Sequence, residues 1–140
     1  MKHVNNGNCP ACDIIFNRYP GFYPPLRDWF AKFQENNPEA HISDAGRGRQ
    51  DQEAYFRKHV SNAHYGESAH NYNAAIDIFE MRPSDPDIYE KVWFDTVLQP
   101  ALEEWTEWYG AVGSPYFEVP HVQVKAWKTL AARGVIKLVE

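Results

Sequence analysis

His70 lies in a polar, turn-like stretch, Ser68-Ala69-His70-Asn71-Tyr72-Asn73, and Asp77 follows inside an apolar run, residues 74–79. Farther along, Glu118-Val119-Pro120-His121 sets a second carboxylate three positions before a second histidine. Two imidazoles and a carboxylate are three protein ligands for one zinc, and a fourth position left to water makes such a site catalytic. His70, Asp77 and His121 are the expected ligands of one Zn2+. Glu118 is then free to act as the base toward that water. Asp77 carries the physical case. A lone carboxylate in an apolar run is costly to bury unless it is paired or coordinates a metal. The competing reading is a surface strand with Asp77 turned outward, which the alternation of a strand allows.

The elements that must hold these residues can be read from pattern. Pro24-Pro25 opens a helix over Pro24–Asn36, with Leu26, Trp29, Phe30 and Phe33 on one face. A short strand is expected at residues 41–43, then a loop with two glycines, Asp44-Ala45-Gly46-Arg47-Gly48-Arg49, and a helix over residues 50–59. Residues 60–73 lack periodicity and read as a long loop of the kind that carries function. Residues 74–79 read as a buried strand. An amphipathic stretch, residues 88–109, reads as a helix kinked or split at Pro100. Glu118 and His121 fall in a strand interrupted by Pro120, since positions three apart in a regular strand face opposite ways. The tail offers a short helix and a final strand at residues 135–139. Residues 1–23 read as an irregular arm packed on the body.

Length and composition set bounds. At 140 residues the chain is expected to be a single domain. With 44% hydrophobic and 15% aromatic residues it can bury a core and is not a disordered chain. A formal net charge of -5 disfavours a nucleic-acid partner. No window is apolar for the ~18 residues of a membrane span, and the opening residues lack the apolar core of a Sec signal peptide. Cys9-Pro-Ala-Cys12 has no second Cys-x-x-Cys. Two reduced thiols near a loose terminus are the expected state, with a terminal disulfide or a second metal site helped by His3 as the sharper alternative. His41, His59 and His64 are expected to be packed or solvated, although His64 is close enough to the motif to line a cleft.

Ser-x-His-x6-Asp followed by Glu-x-x-His, with Arg-x4-Gln upstream, resembles the zinc peptidases that include D-Ala-D-Ala carboxypeptidases, the vancomycin-resistance dipeptidases and phage L-alanyl-D-glutamate endolysins. The resemblance covers about residues 41–124. Relatives often have glycine where Asn73 stands; asparagine tolerates a left-handed backbone better than most residues. The resemblance implies the α+β fold that these peptidases share with lysostaphin-type enzymes and the hedgehog signalling domain. In it a small antiparallel sheet bears the zinc and helices pack around it. It also implies an arginine that stabilises the oxyanion, five residues before a glutamine at the head of a helix. Arg47 and Gln52 have that spacing, and Arg49 is the rival in the same loop. Ser68 is expected beside the metal or against substrate, not as a nucleophile.

The implied function is hydrolysis of peptide bonds in peptidoglycan stem peptides. An endolysin that cuts L-Ala-D-Glu and a D-Ala-D-Ala carboxypeptidase share this constellation. A compact chain without a wall-binding module is similar to phage or prophage endolysins: a monomer, made in the cytoplasm and acting on the cell wall after release. The alternative is a non-catalytic zinc-bearing structural or peptidoglycan-binding module. Such a module needs neither Glu118 nor Arg47.

Overall fold

The structure is a computed structural model that describes residues 2–82, 85–88, 90–110 and 119–140. Helix α1 (Pro10–Asn17) starts on a proline, whose missing N–H is no loss in a first turn, and it buries Ala11, Cys12 and Phe16. The arm expected to be irregular thus contains a helix. Helix α2 (Pro24–Asn36) has the expected bounds and buries Leu26, Trp29, Phe30 and Phe33. Each such side chain is worth about 1.5–3 kcal/mol of burial. Strand β1 (Ala40–Asp44) follows, and helix α3 (Arg49–Arg57) follows the glycine loop. A 3₁₀ turn, Ala69–Tyr72, carries His70. It ends on Asn73 with φ of 58°, the left-handed conformation anticipated for that position.

Strand β2 (Ala75–Arg82) is the centre of an antiparallel sheet in the order β1-β2-β5-β4, completed by β4 (Thr106–Trp108) and β5 (His121–Val124). Strand β3 (Asp85–Ile88) folds back on the far half of β2, where Glu80 faces Ile88. The fold is α+β, as expected. Register places the chemistry: Asp77 sits between Asp44 of β1 and His121 of β5. A shift of one residue would turn Asp77 and His121 to opposite faces.

Two expected elements differ. Residues 88–109 do not form one helix. Helix α4 (Lys91–Trp93) passes into a π turn, Phe94–Leu98, and a 3₁₀ turn, Gln99–Ala101; then the chain extends into β4. Pro100 stops the helical run, and Trp108 is buried as a strand residue against Val122 of β5. Residues 135–139 follow helix α5 (Trp127–Ala132) and join no strand. They are held by Val139 N–H to Asn71 O at 2.7 Å and by Tyr65 Oη to Val139 O at 2.5 Å.

The loop after β1 and the turn before β2 are stitched together. Arg47 N–H donates to His70 O at 3.0 Å, and Asn71 Nδ2 donates to Arg47 O at 3.0 Å. Gly46 lies where a Cβ would stand 2.5 Å from both Tyr19 Cδ1 and Asn73 Oδ1. Gly46→Ala should therefore force this loop away from the turn and destabilise the fold by about 1–3 kcal/mol, as overpacking does. Chemical denaturation measures it; an unchanged midpoint would show that the loop yields freely.

Candidate metal and catalytic site

His70, Asp77 and His121 meet at one point: one ligand atom from each lies within 4.8 Å of the others. Asp77 Oδ1 is 3.2 Å from His70 Nε2 and 3.6 Å from His121 Nδ1. Ligand bonds of about 2.0–2.1 Å in a tetrahedron give edges of about 3.3–3.5 Å, so these spacings suit one zinc. The histidines are buried, and the Asp77 side chain is 20% exposed, which opens the cluster on one side.

Hydrogen bonds outside the cluster fix the tautomers. His70 Nδ1 donates to Ala45 O at 2.6 Å, because a carbonyl can only accept. In the neutral ring Nε2 then presents a lone pair toward Asp77. His121 is set by a longer chain. Glu107 Oε1 accepts from Gln123 Nε2 at 2.7 Å, which turns Gln123 Oε1 toward His121 Nε2 at 2.8 Å. That nitrogen carries the proton, and Nδ1 faces Asp77 with its lone pair. Two lone pairs and a carboxylate oxygen therefore converge, and a cation or a shared proton must sit among them. Neutral imidazoles oriented by outer partners are the usual zinc donors. The donor set fits the metal.

The electrostatics agree. Burial favours a neutral Asp77, but when a proton takes the place of a metal on the facing nitrogens, the attraction of His70 and hydrogen bonds from both imidazoles hold its carboxyl well below the usual carboxylate range. Burial opposes a charged His70 as well; the Asp77 charge outweighs it and raises the His70 pKa. Arg47 adds a permanent positive charge. Its Nη2 lies 3.7 Å from Asp77 Oδ2 and 2.7 Å from Asp44 Oδ2. Nη1 donates to Gln52 Oε1 at 3.1 Å, and the guanidinium rests 4.5 Å from the centre of the Tyr55 ring.

Gln52 is completely buried and uses every hydrogen-bonding position it has. Its Nε2 donates to Ser61 Oγ at 3.0 Å and Ala63 O at 2.6 Å; its Oε1 accepts from Arg47 and from Asn71 Nδ2 at 3.1 Å. Ser68 caps the 3₁₀ turn, its Oγ accepting from His70 N at 3.3 Å. Arg47, Ser68, His70, Asp77 and His121 line a cleft of about 560 Å³ together with Tyr109 and Trp127, while Gln52 lies behind it.

The structure thus brings together Arg47, Gln52, Ser68, His70, Asp77 and His121 of the expected site. Arg49 is elsewhere, stacked 4.5 Å from the centre of the Tyr65 ring. Glu118 lies outside the described residues. The chain beside it is pinned: Trp108 Nε1 donates to Val119 O at 2.6 Å and Ile78 N–H to Pro120 O at 2.8 Å. Val119 and Pro120 form a turn and β5 starts at His121, so the backbone there is irregular as Pro120 suggested. His64 is exposed and pairs with Glu53 at 2.9 Å instead of facing His70, Asp77 and His121. Sequence reading missed Asp44, Asn71 and Gln123. The Ser68-x-x-Asn71 spacing of a capping box was a signal for Asn71, and strand alternation from His121 was one for Gln123.

No protein-family model matches the chain, and no curated protein does. Among solved structures, the Serratia marcescens L-Ala D-Glu endopeptidase ChiX shares the fold, with a TM-score of 0.69 at 19% identity over 87% of this chain and 92% of that one.

Proposed function

We propose that this chain is a zinc peptidase that hydrolyses peptide bonds in peptidoglycan stem peptides. The observation that carries the reading is the convergence of two tautomer-fixed imidazoles and a charged carboxylate on the floor of a cleft, beside a buried guanidinium. When bound there, zinc supplies a Lewis acid and brings the pKa of a water to about 7. His70 Nε2, Asp77 Oδ1 and His121 Nδ1 would hold it. Glu118 takes the proton from the attacking water and returns it to the leaving amine. Its position three residues before a ligand histidine supports that role. Arg47 is the fixed donor for oxyanion charge as the carbonyl is attacked. Gln52, Asp44 and Tyr55 hold the guanidinium in place, so little reorganisation is needed. The solved structure with the same fold is named for cleavage of L-Ala-D-Glu, which makes that bond the first to assay; D-Ala-D-Ala is the second. The site of action on this reading is the cell wall.

Metal content tests the ligand set. His70→Ala should bind one zinc fewer per chain than the wild type, measured by elemental analysis of protein purified without added metal. Retention of the full complement would overturn the assignment.

Cleavage rates test the roles. Glu118→Gln should keep its zinc and its melting temperature, because glutamine has nearly the same shape. It should lose about 10²–10⁴-fold in rate, the usual worth of a positioned acid–base group. Arg47→Ala should cost roughly 2.7–4 kcal/mol in transition-state stabilisation if it acts as a lost oxyanion donor. It should also lower the melting temperature, since Gln52 and Asp44 lose a partner. Arg49→Ala should do neither. The readout is the initial release of free amino groups from purified peptidoglycan. A wild-type rate in zinc-loaded Glu118→Gln would remove Glu118 from the mechanism, and a larger loss in Arg49→Ala than in Arg47→Ala would exchange the arginines.

A further inference from the structure

At the other end of β1 a second cluster assembles from three separate segments. His3, Cys9, Cys12 and His41 each place one ligand atom within 4.8 Å of the other three. His3 Nδ1 is 3.2 Å from Cys9 Sγ and 3.4 Å from Cys12 Sγ; His41 Nδ1 is 3.6 Å from Cys12 Sγ. A zinc tetrahedron with bonds of about 2.3 Å to sulfur and 2.0–2.1 Å to nitrogen has edges of about 3.3–3.8 Å. The three spacings fall on or next to that range. Cys9, Cys12 and His41 are buried, and both cysteines are free thiols.

The surroundings orient these atoms as a metal site requires. Asn5 Nδ2 donates to Met81 O at 3.0 Å, which turns Asn5 Oδ1 toward His41 Nε2. That nitrogen is the donor, so His41 Nδ1 presents its lone pair to Cys12 Sγ. Gln34 Nε2 is held by Ala40 O at 2.8 Å and donates to Cys12 Sγ at 3.4 Å; the same nitrogen is 3.5 Å from His41 Nδ1. Ile42 N–H also donates to Cys12 Sγ, at 3.5 Å. Two N–H donors aimed at one buried sulfur suit a thiolate. Cys9 precedes α1 and Cys12 lies in its first turn, where the helix dipole favours negative charge.

We infer that His3, Cys9, Cys12 and His41 bind a second zinc, a closed structural site that fastens the N-terminal arm and α1 to the sheet. Four protein ligands leave no position for water, so this site has no part in hydrolysis. Binding displaces the two thiol protons to solvent and forms two zinc–sulfur and two zinc–nitrogen bonds.

Cobalt substitution tests it on the full-length chain. The His70, Asp77 and His121 site has no sulfur, so a thiolate-to-cobalt charge-transfer absorption reports on the second site alone. Wild-type protein should carry two zinc per chain and show that absorption when stripped and reloaded with Co²⁺. His70→Ala should keep the absorption with one metal; Cys9→Ser/Cys12→Ser should lose it and also keep one. Failure of the peptidase site and failure of this one are thereby separated. If the double variant does not fold, the wild type still decides: both thiols should resist a thiol reagent until a chelator is added. No charge-transfer absorption in the cobalt-loaded wild type, or a Cys9–Cys12 disulfide by mass spectrometry, would falsify the inference.

Discussion

One charge in the middle of β2 governs the arrangement around it. Asp77 stands in a strand whose neighbours Ile76 and Ile78 are fully buried. A carboxylate there is tolerable only when it is paired, hydrogen-bonded or bound to a metal. The sheet register supplies His121 from β5, the 3₁₀ turn supplies His70, and the loop after β1 supplies Arg47. None of these partners is free to leave. His70 is tied to the Ala45 carbonyl, His121 to Gln123 and Glu107, and Arg47 to Asp44 and Gln52. The outer bonds also leave the ring nitrogens nearest Asp77 without protons. That is a poor arrangement for an ion-paired core and a good one for a cation.

Such a network is expensive unless complete. Gln52 and Asn71 are fully satisfied, whereas Arg47 Nε is buried without a hydrogen-bond partner among the described residues. Asn71 Nδ2 donates to Arg47 O and Gln52 Oε1, while Asn71 Oδ1 accepts from Gly66 N at 3.0 Å and Ser68 N at 3.2 Å. Two buried amides thus join four segments of loop without an unmet donor or acceptor of their own. A half-satisfied version would be worse than an apolar core. This explains how a long, aperiodic loop can be ordered well enough to place His70. It is held by amide hydrogen bonds and contributes few large apolar side chains.

How much of this was legible in the sequence depends on whether the deciding interaction is local. Asp77 announced itself because an acid in an apolar run is a local anomaly. Helix α2 was bounded correctly because two prolines start it and aromatic residues recur on one face. Residues 88–109 misled because their tryptophans and valines fit helical spacing, whereas β4 exists only through its pairing with β5. The tail at residues 135–139 misled in the opposite sense: it is rich in β-branched residues but pairs with no strand among the described residues. Arg47 and Arg49 are equivalent as loop residues, and the family spacing to Gln52, not propensity, separated them. Of the cluster of His3, Cys9, Cys12 and His41, the first three were legible as an alternative to two loose thiols; His41 was not, because it arrives from β1, a strand far from them in sequence.

Strand β1 links the two clusters. It is the edge of the sheet, and an exposed edge invites pairing with another chain. Here Ile42 N–H, on the edge turned away from β2, donates to Cys12 Sγ. Asn5, two residues after His3, reaches across to Met81 O near the end of β2. The arm and α1 therefore cover the edge with the side chains of the second cluster instead of with another strand. Without a metal the cover is made of weak donors and of groups that burial keeps neutral: Cys12 is pushed up to about 12 and His41 down to about 4. Neutral sulfur accepts hydrogen bonds poorly, so the edge would be held mainly by packing. The same strand carries Asp44 at its far end, paired with Arg47 at 2.7 Å. Anything that steadies β1 at His41 steadies the carboxylate that orients the guanidinium. The arm is thus part of what positions the cleft at His70, Asp77 and His121, although none of its residues lines it.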